Sequence, residues 1–244
     1  MESLKQMKLN SVEGFAEKGP FVSGSDISFF ELKKDLSKTD RVFETKTDSR
    51  GKFVIETSTN FISKYVKLSV SGLYFNEVTG DISDMPITLE ALGDISKTHY
   101  AKLNVNILTH LITPRIEKLM SEGLLFYNAR FQAVQELLNA FRIYDVSLKP
   151  EQVSITDNNE AANVLIAINS ILLNERDNSE FAQIVNDIRE DLVDGVISNT
   201  VKLQIQESNH DIDAEKIKIN LINYYQQLGY TIKVGNFEEF LNKD

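Results

Sequence analysis

The sequence predicts an α+β chain: a flexible leader over residues 1–11, a β-sandwich over 12–98 and an all-α helical domain over 99–244. Three observations predict it. Up to about Ala91, apolar residues alternate with polar ones and glycines punctuate the runs, which is the period of strands. Beyond the segment Asn104-Val105-Asn106-Ile107-Leu108-Thr109-His110-Leu111, apolar residues recur every three to four positions, which is the period of helices. No Gly/Ser-rich or Pro-rich linker separates the two patterns, so the halves are expected to dock rather than swing.

In chain order, Gly19-Pro20 and Gly24-Ser25 break the first strand run. Ile27, Phe29 and Glu31 alternate with Ser28, Phe30 and Leu32, so apolar bulk falls on both faces near that strand's end. Thr47-Asp48-Ser49-Arg50-Gly51-Lys52-Phe53 predicts a hairpin: the Asp48 carboxylate can cap the turn, and Gly51 can take a positive φ. Val66, Leu68 and Val70 read as a half-buried strand, and Ile87, Leu89 and Ala91 repeat the pattern. Six or seven short strands at this spacing suggest a sandwich.

The helical half is expected to begin after Leu103, with Asn106 capping a helix to about Glu122 that Pro114 kinks. A second helix runs from about Leu125 to Phe141, with Phe126, Ala129, Ala133, Leu137 and Phe141 on one stripe. Ala161 to Leu173 is apolar almost all round, as in a helix covered by others. Asn178 or Ser179 is expected to cap the next, whose Phe181, Ile184, Val185, Ile188 and Leu192 share a face until Asp194-Gly195 interrupts. Ile217, Leu221, Tyr224 and Leu228 mark another helix, closed by Gly229, and Phe237 to Leu241 a final short turn.

The 244 residues carry a net charge of −10. Residues 1–98 hold 13 basic and 15 acidic side chains, and residues 99–244 hold 13 and 21, so the helical half is the acidic one. A basic stripe is absent, which argues against nucleic acid. With no cysteine, disulfides, thiolate metal sites and thiol nucleophiles are excluded within this chain. No apolar run reaches the roughly 18 residues that cross a bilayer. Met1 to Ser11 lacks the apolar stretch of a secretory leader, so the chain reads either as cytosolic or as a mature exported protein.

The sequence offers no catalytic, cofactor-binding or metal-ligating assignment, and the binding residues stay unknown. His110 has the chemistry of a ligand or base, but a histidine hydrogen-bonded between the two domains is the more economical reading. His99, beside Tyr100, and His210 fall in loops, and no pair has metal spacing. Asn209, Asp211, Asp213 and Glu215 alternate like the start of a calcium loop, yet Ala214 and Asn220 stand where that loop wants Gly and Glu. Helix capping by Asp211 or Asp213 explains them better. Asp81 and Asp84 form a looser acidic pair. Glu190-Asp191 and Glu238-Glu239 are adjacent on helices and point apart, unlike an acid/base couple. Leu73, Tyr74 and Phe75 either stack on a sugar or a partner, or wedge between the domains. The wedge is favoured because large apolar clusters are seldom left in water.

Val12-Glu13-Gly14-Phe15, Lys18-Gly19-Pro20-Phe21, Gly24-Ser25, Thr47-Asp48 and Gly51-Lys52-Phe53 together resemble the carboxypeptidase-regulatory-like, or transthyretin-like, β-sandwich, an immunoglobulin-like fold. The segments Gly72-Leu73-Tyr74-Phe75-Asn76-Glu77-Val78-Thr79-Gly80, Asn104 to Leu111, Ala161 to Ile168 and Asp191 to Gly195 extend the likeness over roughly residues 12–242. It is to cell-envelope lipoproteins of Gram-negative, Bacteroides-type gut bacteria, in which a helical bundle follows the sandwich. Pro114 departs from it, falling where the family helix runs unbroken. The resemblance implies a lipid-anchored outer-membrane protein at the cell surface or in the periplasm. The anchoring cysteine is not among these residues.

The expectation is therefore a non-catalytic envelope module for interaction or adhesion. It is expected to use no cofactor and no nucleic acid, to meet the membrane only through a lipid anchor, and to bind an unidentified envelope protein or glycan. The alternatives are an enzyme or accessory of polysaccharide or cell-wall processing, and a cytosolic helical adaptor.

Overall fold

The structure, a computed structural model, describes residues 7–96 and 99–241. Residues 1–6 of the expected leader, the last two sandwich positions and residues 242–244 lie outside the described residues. A strand-rich N-terminal region is followed by helices. The strands are β1 (Met7–Glu17), β2 (Asp26–Leu32), β3 (Lys38–Lys46), β4 (Lys52–Phe61), β5 (Tyr65–Gly72), β6 (Phe75–Asn76), β7 (Asp81–Ile82), β8 (Ile87–Asp94), β9 (Tyr100–Lys102) and β10 (Val105–Asn106). The helices are α1 (Ile107–Ser121), α2 (Phe126–Ala140), α3 (Glu160–Leu173), α4 (Asn178–Leu192), α5 (Asn199–Glu207) and α6 (Ala214–Gln227).

Two four-stranded sheets share one core. In the first, β1 pairs antiparallel with β4, and parallel with β9 and β10. The second runs β3-β2-β5-β8, all antiparallel. Leu9, Val12, Phe53 and Ile55 from one sheet and Ile27, Phe29, Leu68 and Leu89 from the other are buried in that core. Phe29 of β2 meets Phe61 of β4 edge-on across the gap, with ring centroids 5.9 Å apart.

Three expectations about the β region are corrected. Residues 7–11 are strand, not leader, because Met7 and Leu9 pair with Phe61 and Thr59 and Leu9 is fully buried. The turn at 48–51 has the expected local chemistry: the Asp48 carboxylate accepts from the Arg50 and Lys52 amides at 2.8 and 2.9 Å, and Gly51 takes φ 74°. It is not a hairpin, however. It carries the chain from β3 in the second sheet to β4 in the first, and Gly51 lies so near Ala16 that an added Cβ would stand 2.4 Å from the Ala16 carbonyl oxygen. Finally, residues 100–106 belong to the first sheet, so the strand region reaches Asn106 rather than residue 98.

On β2, the register shift between Phe30 and Leu32 turns both Glu31 and Leu32 inward. Glu31 is satisfied there by the Ile62 amide at 2.5 Å.

The helices follow their apolar stripes. All five stripe residues of α2 are buried, and α3 is buried on nearly every side. Asn106 caps α1 in a reciprocal box with Thr109, and α1 continues as one helix on both sides of Pro114. The cap of α4 is Asp177, one residue earlier than expected, boxed with Glu180. Asp213 caps α6, and Gly229 follows its end at φ 83°. Among the described residues, no helix is long and apolar enough to cross a membrane.

Candidate functional site

The densest polar chemistry lies where the helices meet the sheets, in three clamps. In the first, α1 runs along β8. Thr109 Oγ1 donates to the Glu90 carbonyl at 3.0 Å, and the Glu90 amide donates to His110 Nδ1 at 3.1 Å. Arg189 of α4 completes the cluster, 2.7 Å from the Glu90 carboxylate and 2.9 Å from His110 Nε2. Burial and then the neighbouring Arg189 charge hold the His110 pKa well below 6.5, so the ring is neutral, as a ring accepting an amide hydrogen bond must be. Desolvation opposes ionisation of Glu90, but its bond to Arg189 outweighs this and keeps the carboxyl below its usual range. On the same face Lys67 of β5 reaches Glu117 of α1 at 2.5 Å, and Tyr65 packs on Phe126 with centroids 6.1 Å apart.

The second clamp is the segment after β5. Tyr74 and Phe75 are buried. Phe75 stacks on Tyr224 of α6 with centroids 4.1 Å apart, and Tyr74 packs on Phe181 of α4 at 5.9 Å. The Tyr74 hydroxyl donates to Asn178 Oδ1 at 2.8 Å, and Asn220 Nδ2 donates to the Glu77 carbonyl at 2.9 Å. Beneath them sits a buried ion pair. Lys18 Nζ lies 3.4 Å from each Glu77 oxygen and 5.0 Å from the centroids of both the Tyr74 and Phe181 rings. Lys18 is 0% and Glu77 2% exposed, so burial raises the cost of charging either one, and each supplies the other's only ion-pair partner among the described residues. Burial pulls Lys18 down to about 8 and pushes Glu77 up, with their mutual attraction opposing both shifts.

The third clamp joins the end of the first sheet to a 3-10 turn at Pro150–Gln152 and the residues after it. The Asn104 side chain accepts from the Phe15 amide at 3.0 Å and donates to the Val153 carbonyl at 2.9 Å. Asn106 Nδ2 donates to the Pro150 carbonyl at 2.9 Å. The fully buried Glu17 accepts from Ser154 Oγ at 2.8 Å and from the Ile155 amide at 3.2 Å.

The candidates read from the sequence fall as follows. His110 lies in the first clamp, and Tyr74 and Phe75 in the second. His99 is exposed, with Nδ1 2.5 Å from the Lys8 carbonyl oxygen. The backbone carbonyl of the exposed His210 accepts from Asn174. Of the calcium-like run, Asp213 accepts from the Lys216 amide at 2.9 Å as a helix cap, and Asp211 and Glu215 face solvent. Asp84 accepts from Asn178, and Asp81 is exposed. Asp191 accepts from the Ser198 amide at 2.8 Å, while Glu190 is exposed. Glu238 pairs with Lys218 at 2.6 Å, and Glu239 is exposed. Among the described residues, no group of three or more His, Cys, Asp or Glu side chains is placed to hold a metal ion.

Sequence reasoning missed Glu17, Lys18, Glu77 and the Glu90–Arg189 pair. A carboxylate and an ammonium at adjacent positions on a strand end read as a solvated edge, because alternation sends one of them outward. Only segments far along the chain bury both.

Two open clefts lie on the helical region, the second of them beside the third clamp. One, of about 360 Å³ between α4 and α5, is lined by Glu175, Arg176, Glu180, Asp187 and Glu207 among others. Its Arg176 is turned inward, with Nη1 donating to the last carbonyls of α3 at Ile171 and Leu172. The other, of about 370 Å³, lies before α3 and is lined by Lys149, Asp157 and Asn159 among others. No family model, curated protein or solved structure matches this chain.

Proposed function

We propose that this chain is a non-catalytic module of a bacterial cell-envelope lipoprotein, serving interaction or adhesion, in which a transthyretin-like sandwich and a helical bundle act as one rigid body. The observation that carries the reading is the use made of the chemistry-bearing residues. His110, Glu90 and Arg189, and Glu17 with Ser154, hold one module against the other, and the Lys18–Glu77 pair of the strand region lies against the Tyr74 and Phe181 rings that meet across the joint. A joint built this way suits a spacer or a presenting surface, which must transmit position without flexing. The order of strands and helices, and the segments Lys18 to Phe21 and Tyr74 to Gly80 on which the lipoprotein resemblance rests, support the envelope assignment.

The test is binding of the purified chain on a glycan array and to fractionated envelope extract of a Gram-negative gut bacterium, run beside a hydrolase screen on polysaccharides and peptidoglycan. Saturable binding without turnover is expected. Hydrolysis with silence in both binding assays would overturn the reading. The carboxylates lining the cleft between α4 and α5 would then be the first residues to replace.

A further inference from the structure

Glu17 is a fully buried acid without a cation against it. Its two oxygens face the Ser154 hydroxyl and the Ile155 amide, at 2.8 and 3.2 Å. Its sequence neighbour Lys18 is turned to Glu77. The other elements around it bring few charges. β9 offers Lys102, which attracts the carboxylate from a distance. The segment before α3 offers Asp157, which repels it. β10 places the neutral Asn106 beside it in register. α6 brings Tyr225, whose buried hydroxyl has no hydrogen-bond partner among the described residues and which also feels Arg50 and Asp48. Among the described residues, none forms an ion pair with Glu17.

An ionised carboxylate stripped of water and left without a counter-ion is strongly disfavoured, and two neutral donors do not replace its hydration. The neutral acid fits the same place, since its own hydroxyl can donate to Ser154 Oγ. We infer that the helical module docks on the sandwich with Glu17 protonated, so that closing the joint takes up one proton and opening it releases one. The joint is thereby coupled to pH in the near-neutral range.

The sign follows from the two states. Released from the joint, Glu17 titrates near 4.5; in the joint, burial pushes it up to about 8, Asp157 adding to the shift and the Ser154, Ile155 and Lys102 interactions opposing it. A raised carboxyl stabilises the closed state fully below the lower value, and that contribution is lost as pH climbs from 4.5 through about 8. Glu77, also raised, acts in the same direction. Lys18, lowered to about 8, acts in the range above that value. His110, lowered, acts below 6.5. Between 4.5 and about 8, Glu17 therefore contributes a slope of its own, and replacing it removes one proton from the difference between the two states.

The experiment measures the unfolding equilibrium of the whole chain in urea from pH 6.5 to 8, for wild type and Glu17→Gln. It also follows the Glu17 carboxyl carbon by NMR from about pH 3 to 10, which spans both the ordinary carboxylate range and the raised value, assigned through the Ile155 amide that bonds to it. Glutamine keeps the shape, the acceptor for Ile155 and a donor for Ser154, and has no proton to lose. The carboxyl is expected to titrate near pH 8, and the ratio of the wild-type to the variant unfolding constant to rise up to about tenfold per pH unit. A carboxyl that titrates in the ordinary carboxylate range, or a ratio that stays constant with pH, would overturn the inference. If Glu17→Gln fails to fold, the wild-type carboxyl titration decides alone.

Discussion

Replacing Lys18 by Met leaves a carboxyl buried without its counter-charge, and the structure sets the size of the effect. Lys18 and Glu77 are 0% and 2% exposed and each is the other's only ion-pair partner among the described residues. Removing one member of such a pair costs about 3–5 kcal/mol, most of it the desolvation of the charge left behind. Methionine has nearly the same length and keeps contact with the Tyr74 and Phe181 rings that Lys18 Nζ approaches at 5.0 Å, so lost packing contributes little. For a chain of this size, about 2–4 °C of Tm accompanies each kcal/mol, giving a drop of roughly 6–20 °C. The double variant Lys18→Met/Glu77→Gln has no buried charge. Its glutamine still accepts from the Gly19 amide, which lies 3.4 Å from Glu77 Oε2. It should recover to within about 1–2 kcal/mol of wild type. Urea unfolding followed by far-ultraviolet circular dichroism closes the double-mutant cycle. A single variant costing under about 1 kcal/mol, or a double variant as unstable as the sum of its parts, would refute the claim that this pair is a coupled element of the joint.

Two further predictions concern the other clamps. Phe75→Ala removes a buried ring stacked on Tyr224 at 4.1 Å and should cost about 3–5 kcal/mol in the same assay. A loss below about 1 kcal/mol would mean the ring is not wedged between the modules. His110 has its folded pKa depressed, so its contribution is full above 6.5 and is lost as pH falls below that value. His110→Gln, which can still accept from the Glu90 amide, should therefore gain on wild type by up to about 1.4 kcal/mol per pH unit between pH 6.5 and 5. A difference independent of pH would show that the ring is not held neutral.

What could be read from the sequence was what local physics determines. The α2 stripe, the enclosed α3, the Asn106 cap and the Asp48–Gly51 turn each follow from periodicity or from one side chain's reach along its own backbone. The pairing of β4 with β1, about 40 residues earlier in the chain, is tertiary, so a turn with the right local chemistry reads as a hairpin from its sequence alone. β9 and β10 are three and two residues long, too short to show alternation, and they hid the end of the strand region. Of the joint, His110 and the Tyr74–Phe75 wedge were legible because a lone histidine and an aromatic pair stand out in a sequence. Glu17, Lys18 and Glu77 were not, because their burial is supplied by Ser154, Ile155 and Phe181, more than 100 residues away.

The central claim is that the sandwich and the helices form one rigid, cooperatively folded body through these clamps. Residue-resolved urea unfolding by NMR tests it most directly, with amides of Val12, Phe29 and Leu68 reporting on the sheets and those of Ala133, Ile168 and Leu221 on the helices. One midpoint and one slope shared by both sets are predicted. Separate midpoints for the two sets would contradict the claim.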